Sequence, residues 1–355
     1  MPSAWIINTT YFLPEILLDN EQINAAHPEW SVDKISVKTG IEKRYYAKDD
    51  QTSGDLAYLA AEQFFEKGII EKSAVDFLIL CTQSPDYFLP TTACILQDRL
   101  GLGKNIGAFD FNLGCSGFVY GLGIAKGLIC SGQAKNVLLL TAETYSKFIH
   151  PDDKKNKTIF GDAASATLIS AEPSSHHLSG EILNFSYGTD GAGAKHLMVR
   201  NGGLRNTQTG SATDVYIDNE FHSNDDYLFM DGKEIFDFTV FNVPGLVNSC
   251  LQKNVVPPEA IDLYIFHQAN QFMLDRVRKM SKIPVEKFYV FIKETGNTVS
   301  STIPIALSHA LQNNAIKEGD NILLCGFGVG LSMGAVMVAY SYMLKYYQKI
   351  PGKHV

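Results

Sequence analysis

Residues 108–118 read Ala108-Phe109-Asp110-Phe111-Asn112-Leu113-Gly114-Cys115-Ser116-Gly117-Phe118. A strand-like apolar run enters, a cysteine stands beside glycine at the turn, and a helix-like run from Val119 to Cys130 leaves. A cysteine at such an elbow faces the positive end of the helix. Unpaired backbone N–H groups and aligned peptide dipoles there favour thiolate over thiol. The glycines permit a sharp turn and let a carbonyl come close to the backbone. Burial in a core is the ordinary fate of a free cysteine. The elbow therefore acquires meaning only if other parts of the chain converge on it.

The chain repeats itself, and the repeat supplies that convergence. Ala74 to Gln83 echoes Ala260 to Ala269, and Phe109 to Gly117 parallels Phe291 to Val299. Asn136 to Leu140 matches Asn321 to Cys325, and Ala164 to Ile169 matches Gly334 to Ala339. Short apolar runs of this kind read as buried strands. Each Cys115- or Asn297-bearing elbow is followed by a helix-length segment, Ser116 to Ser131 and Thr298 to Asn313. Strands alternating with helices predict two α/β halves related by a pseudo-dyad. The polar stretch Glu172 to His177 sets the boundary, giving halves at 1–175 and 176–355. Asn184 to Asp231 reads as an irregular, glycine-rich insertion or lid.

The repeat places Cys115 level with Asn297, both at helix N-termini, with His267 at the carboxyl end of a strand. Ligands gather at such ends in parallel sheets. A cysteine, a histidine and an asparagine suit two machines. In one, histidine activates the thiol for acyl transfer to water. In the other, cysteine holds an acyl group while histidine and asparagine donate hydrogen bonds to a second thioester as it decarboxylates. Gly326-Phe327-Gly328-Val329-Gly330 can supply backbone N–H groups for an oxyanion; its spacing is not that of a dinucleotide fingerprint.

Composition narrows the field. The chain has 355 residues, 45% hydrophobic and 19% charged, which fits a globular protein of two domains or one large two-part unit. A net charge of −8 argues against nonspecific nucleic-acid binding, although Lys154, Lys155 and Lys157 form a local basic cluster. Six cysteines without a metal-ligand spacing fit a reduced, cytoplasmic protein with no structural metal. No secretory signal and no apolar run of membrane-spanning length are visible, so no membrane partner is expected.

With these residues assembled, the chain resembles β-ketoacyl-acyl carrier protein synthase III. The resemblance rests on Lys38 to Ile41, Asp110 to Phe118, Phe160 to Ala164, His267 to Asn270, Gly296 to Thr298 and Gly326 to Gly334. It implies a thiolase-like five-layer α-β-α-β-α fold, a homodimer and decarboxylative condensation of an acyl-CoA primer with a malonyl thioester carried by coenzyme A or a carrier protein. Cys115 would carry the acyl group, His267 and Asn297 would stabilise the enolate, and the N–H groups of Cys115 and Val329 would form the oxyanion hole. Phe327 would orient the decarboxylating group. Phe88 and Leu89 would line the acyl pocket, with Leu89 where a gate phenylalanine is common and a primer preference other than acetyl implied. Trp30, Lys38, Lys154, Arg276 and Lys279 would contact coenzyme A or the carrier. No cofactor is implied, since coenzyme A enters as a thioester substrate. Relatives that transfer acyl groups to oxygen or nitrogen, iterative polyketide-type extension and a noncatalytic acyl-thioester binder remain open beside this reading. A hydroxymethylglutaryl-type condensation, which needs a glutamate where Gln83 stands, ranks low.

Overall fold

The fold is a computed structural model that describes residues 2–26, 28 and 31–342. Two five-stranded arrays carry the repeat. One runs Gly107–Phe111, Phe77–Cys81, Asn136–Glu143, Ala163–Ser170, Trp5–Phe12. The other runs Phe288–Tyr289, Leu263–Phe266, Asn321–Gly328, Ser332–Ser341, Ser179–Thr189. In each array the first three strands are parallel and the next two antiparallel. The arrays join edge to edge where Trp5 and Ile6 pair with Glu181 and Gly180, so the ladder is continuous over ten strands.

Helices fill the spaces on both sides and between. Asn136–Glu143 is buried along nearly its whole length, as a strand covered on both faces must be. Its alternation sorts the neighbours. Leu138 and Leu140 point to an outer core with Leu56 and Phe64 of helix Ser53–Glu66. Val137 and Leu139 point to a middle core with Phe118 and Leu122 of helix Gly117–Cys130 and with Ile303 and Leu307 of helix Thr302–Gln312. A third core sets Leu246 and Leu251 of helix Gly232–Asn254, and Leu274 of helix Gln271–Met280, against Phe266 and Leu323. The order is helix, sheet, helix, sheet, helix, the five-layer thiolase-like arrangement expected from the sequence.

The helix starts are fixed locally. Thr52 and Asp55 form a reciprocal cap at 2.9 and 3.3 Å. Asp231 accepts from the N–H groups of Lys233 and Glu234 at 3.1 and 3.2 Å.

Two features differ from the sequence reading. The stretch 184–231 is not irregular throughout. Asn184 to Thr189 belong to strand Ser179–Thr189, whose pairing with Ser332–Ser341 extends through Thr189. Further on, Leu197–Val199 pairs with Leu228–Met230, and Val215–Ile217 with Glu220–Ser223. The other difference is the second elbow. Strand Phe288–Tyr289 is short and ends well before Asn297, and a 3-10 turn, Val299–Ser301, separates Asn297 from its helix. Asn297 is therefore in a loop and not at a helix N-terminus. Among the described residues, no helix is long and apolar enough to cross a membrane.

The two halves also meet where strand Asn321–Gly328 passes the start of helix Gly117–Cys130. A Cβ on Gly326 would lie 2.7 Å from both the Cys115 carbonyl oxygen and the Ser116 Cα. Both are backbone atoms with no room to yield, so Gly326→Ala forces the layers apart. Its stability should drop by about 2 kcal/mol, as overpacked cores do; an unchanged urea midpoint would refute this contact.

Candidate active site

Cys115 lies just before helix Gly117–Cys130, and its side chain is only 6% exposed. The backbone N–H groups of Val329 and of Cys115 itself reach the sulfur. Gly328 makes this approach possible, since a Cβ there would come 2.8 Å from Cys115 Sγ.

The thiolate expected from the elbow is not the resting form. Burial pushes the Cys115 thiol from 9.0 up to about 12, against the pull of the two N–H groups. That displacement corresponds to roughly 4 kcal/mol against the charged form. A helix N-terminus returns about 2 kcal/mol at best. Desolvation wins, and the free site holds a thiol.

His267 follows strand Leu263–Phe266 directly, and its N–H extends the ladder to the Cys325 carbonyl at 2.8 Å. Burial pushes its imidazole down to about 3, opposed by the Val299 carbonyl, so the ring is neutral at physiological pH. Nδ1 lies 2.7 Å from Thr302 Oγ1. The Phe327 ring stands edge-on to it at 5.6 Å.

Asn297 is held from both halves. Its N–H donates to the Ile159 carbonyl at 2.9 Å, and its own carbonyl accepts from Gly161 at 3.0 Å. Its Oδ1 accepts from the Val299 N–H at 2.9 Å, which leaves Nδ2 as the outward donor; one Nδ2 hydrogen reaches the Ala269 carbonyl at 3.4 Å. Val299 is left-handed, with φ of 55°, a costly conformation for a β-branched residue.

Beneath the thiol lies a polar cluster that the sequence did not signal. Glu143 is fully buried and accepts from Ser300 Oγ at 2.8 Å and from the Gln83 N–H at 3.1 Å. Burial pushes its carboxyl up to about 8. Tyr145 donates to Gln83 Oε1 at 2.6 Å.

Cys115, His267, Asn297, Phe327 and Gly328 all line one cavity of about 780 Å³. Two families match the chain. Residues 109–191 match 3-oxoacyl-(acyl-carrier-protein) synthase III and residues 251–340 match its C-terminal part. The β-ketoacyl-(acyl-carrier-protein) synthase III of Caldanaerobacter subterraneus subsp. tengcongensis is 35% identical, over 96% of this chain and 98% of its own. That of Clostridioides difficile is 37% identical, over 95% and 98%. The chain belongs to the 3-oxoacyl-(acyl-carrier-protein) synthase III family. A crystal structure of a 3-oxoacyl-(acyl-carrier-protein) synthase III superposes with a TM-score of 0.91 at 45% identity, covering 95% of this chain and all of that one. The synthase III from Aquifex aeolicus gives 0.82 at 32% identity, covering 95% and 100%.

Within this synthase III frame, the other sequence-derived site residues divide. Lys38 lines the cavity mouth, joined there by Lys34. Lys154 does not line the cavity; its neighbours Asp153 and Lys155 do, because the short helix Lys154–Lys157 turns those side chains inward. Arg276 and Lys279 are exposed on helix Gln271–Met280, outside the cavity, whereas Phe272 of that helix lines it. Phe88 and Leu89 do not line the cavity of this chain. They are 77% and 86% exposed. Trp30 lies outside the described residues.

Sequence reasoning missed the cavity's far wall, made by Leu197, Phe221, His222, Leu228, Phe229 and Met230. A signal was present. Asp218-Asn219 separates Val215-Tyr216-Ile217 from Glu220-Phe221-His222, and both turn residues have positive φ, 53° and 64°, as a tight hairpin requires.

The resting thiol carries a pH signature. Below its pKa, thiolate grows about tenfold per pH unit. Cys115 alkylation by iodoacetamide, followed on its own peptide by mass spectrometry, should climb about 100-fold from about pH 7 to about pH 9 without levelling. A plateau below about pH 8 would mean that the thiolate is already formed.

Proposed function

We infer that this chain is an acyltransferase that condenses an acyl-CoA primer with a malonyl thioester, with loss of carbon dioxide, in fatty-acid or related acyl-chain synthesis. The observation that carries this reading is the single cavity in which a buried sulfur, a neutral imidazole, an amide donor and two backbone N–H groups converge. The names of the relatives agree with it.

The proton balance follows from the resting charges. His267 takes the Cys115 proton on Nε2 as sulfur attacks the acyl-CoA carbonyl. The N–H groups of Cys115 and Val329 hold the resulting oxyanion. The carbon–sulfur bond to coenzyme A breaks, and its thiolate leaves with the proton from His267. A malonyl thioester then occupies the cavity. The malonyl carboxylate puts a negative charge beside the ring, which offsets the burial penalty so that His267 takes up a proton from solvent. His267 and Asn297 Nδ2 then hold the thioester oxygen while carbon dioxide departs and its bonding pair becomes the enolate. Phe327 packs beside this pair. The enolate carbon attacks acyl-Cys115, and the released sulfur recovers its proton from His267.

The partners are read from the surface. Lys34 and Lys38 flank the mouth, and exposed Arg276 and Lys279 stand on the adjoining helix, a basic patch suited to an acidic carrier or to coenzyme A phosphates. The exposed apolar loop Tyr87-Phe88-Leu89 suits burial in a homodimer, where Leu89 would reach a partner's acyl pocket and bear on primer length. The division into halves at 1–175 and 176–355 stays our reading of the repeat. Cys81, Cys94, Cys115, Cys130, Cys250 and Cys325 are all unpaired, as suits a cytoplasmic setting.

Incubation with acyl-CoA primers of varied length should give a thioester adduct on Cys115, seen by mass spectrometry, that malonyl thioester discharges as a β-ketoacyl product. His267→Ala and Asn297→Ala should each slow that discharge by about 100-fold or more. Discharge to water without malonate, or an inert Cys115, would overturn the reading.

Charge reversal tests the docking surface separately. Arg276→Glu with Lys279→Glu should raise KM for carrier-borne malonyl by about tenfold while changing KM for malonyl-CoA far less. Equal changes for both would remove this helix from carrier binding.

A further inference from the structure

His267 needs a bare Nε2 to take a proton from Cys115, and the side of the ring away from the cavity determines whether it has one. A neutral imidazole carries its proton on one nitrogen only, and the partner of the other nitrogen chooses which. The turn that follows Asn297 offers this ring two groups. One is the Val299 carbonyl, which hydrogen-bonds the imidazole and can only accept. The other is the Thr302 hydroxyl, 2.7 Å from Nδ1. That hydroxyl has a single hydrogen, and the same Val299 carbonyl, 3.0 Å away, can only accept it. With that bond made, the hydroxyl turns a lone pair to Nδ1. In the opposite tautomer the hydroxyl would turn its hydrogen to Nδ1 and give up its bond to the Val299 carbonyl, in a site closed to water: Thr302 is 2% exposed and Val299 fully buried.

We propose that Thr302 is a positioning residue that, with the Val299 carbonyl, fixes the Nδ1–H tautomer of His267 and so makes Nε2 the proton acceptor for Cys115. The left-handed Val299 serves both ends of this device. Its carbonyl faces His267 and Thr302, and its N–H holds Asn297 Oδ1 at 2.9 Å. One strained residue thereby orients both groups that flank the reacting thioester, which gives the strain a use. The inference rests on the condensing reading for its chemical purpose. The tautomer itself is a property of the free protein.

The test uses the full chain with ring-15N histidine. The His267 signals are assigned by their loss in His267→Gln. Wild type and Thr302→Ser should show Nε2 unprotonated near neutral pH. Thr302→Val, which keeps the shape and removes the hydroxyl, should show a mixture of tautomers. Acyl loading of Cys115 should fall about 10- to 100-fold in Thr302→Val and return to within about threefold of wild type in Thr302→Ser. A wild-type ring protonated on Nε2, or a Thr302→Val protein with unchanged tautomer and loading, overturns the proposal. Failure of wild-type Cys115 to accept any acyl group would instead overturn the condensing reading, while the spectra would still decide the tautomer.

Discussion

The position of the Cys115 sulfur is set by a conflict between access and desolvation. The strand carrying Gly326 and Gly328 passes so close that neither position tolerates a Cβ without displacing Cys115 or its neighbour. That closeness delivers the Val329 N–H to the sulfur, and it also strips water away. The same geometry thus gathers N–H donors at the sulfur and raises the thiol's pKa. A site of this kind cannot rely on a standing thiolate; it needs a base that is itself uncharged and dry. His267, held neutral by the same burial, lines the same cavity. The desolvation that suppresses the charge at rest also strengthens each hydrogen bond once charge develops during reaction.

Joining the halves is the second condition. Cys115 and the 159–161 segment come from one array, and His267, Asn297 and Val329 from the other. The backbone of Asn297 is tied to Ile159 and Gly161, so the C-terminal donor is registered against the N-terminal half by hydrogen bonds. Under this junction Arg44 is fully buried, donating to the Thr158 carbonyl at 2.6 Å and to Asn20 Oδ1 at 2.7 Å. Cβ atoms on Gly161 or Gly296 would each approach the Arg44 Cβ to 3.1 Å. The two loops therefore rest on one side chain, and the distance between sulfur and amide is fixed by packed backbone.

Much of this was legible in the sequence because repetition converts local strand patterns into spatial equivalence. The apolar runs 77–81 and 263–266 occupy matching places in their arrays, and so do 136–143 and 321–328. Cys115 and His267 stand at the strand ends or helix starts that the pattern implied. Equivalence failed where the halves diverged: Asn297 follows a strand cut short at Tyr289 and precedes a 3-10 turn, so the donor is positioned by Val299 and Ile159 and not by a helix N-terminus. The resting state of Cys115 was misjudged for a different reason. Sequence shows a helix start but not the water excluded from it, and here exclusion is the larger effect. Thr302 was invisible because a threonine inside a helix start has no distinctive pattern until its neighbours in space are known.

The far wall shows what a fold shared across a family leaves free. The hairpin Val215–Ile217 and Glu220–Ser223 is not part of the ten-stranded ladder. It is fastened to the 150–153 segment by side chains alone. Phe221 stacks on His150 at 4.2 Å and 3°, and Tyr216 donates to Asp152 at 2.7 Å. Phe221 also lines the cavity, as do Asp153 and Lys155 of the same segment. Cys115 and His267 sit on layered, buried elements, whereas this hairpin is held to its neighbours by side-chain contacts: the ring stack, the Tyr216 bond and the approach of His150 to Asp214 at 3.4 Å. Substitution at Phe221 or Tyr216 can therefore reshape the cavity without disturbing the sulfur, the imidazole or the amide. The part of the cavity that can change at least cost to the fold is therefore this hairpin and not the layers that hold the trio.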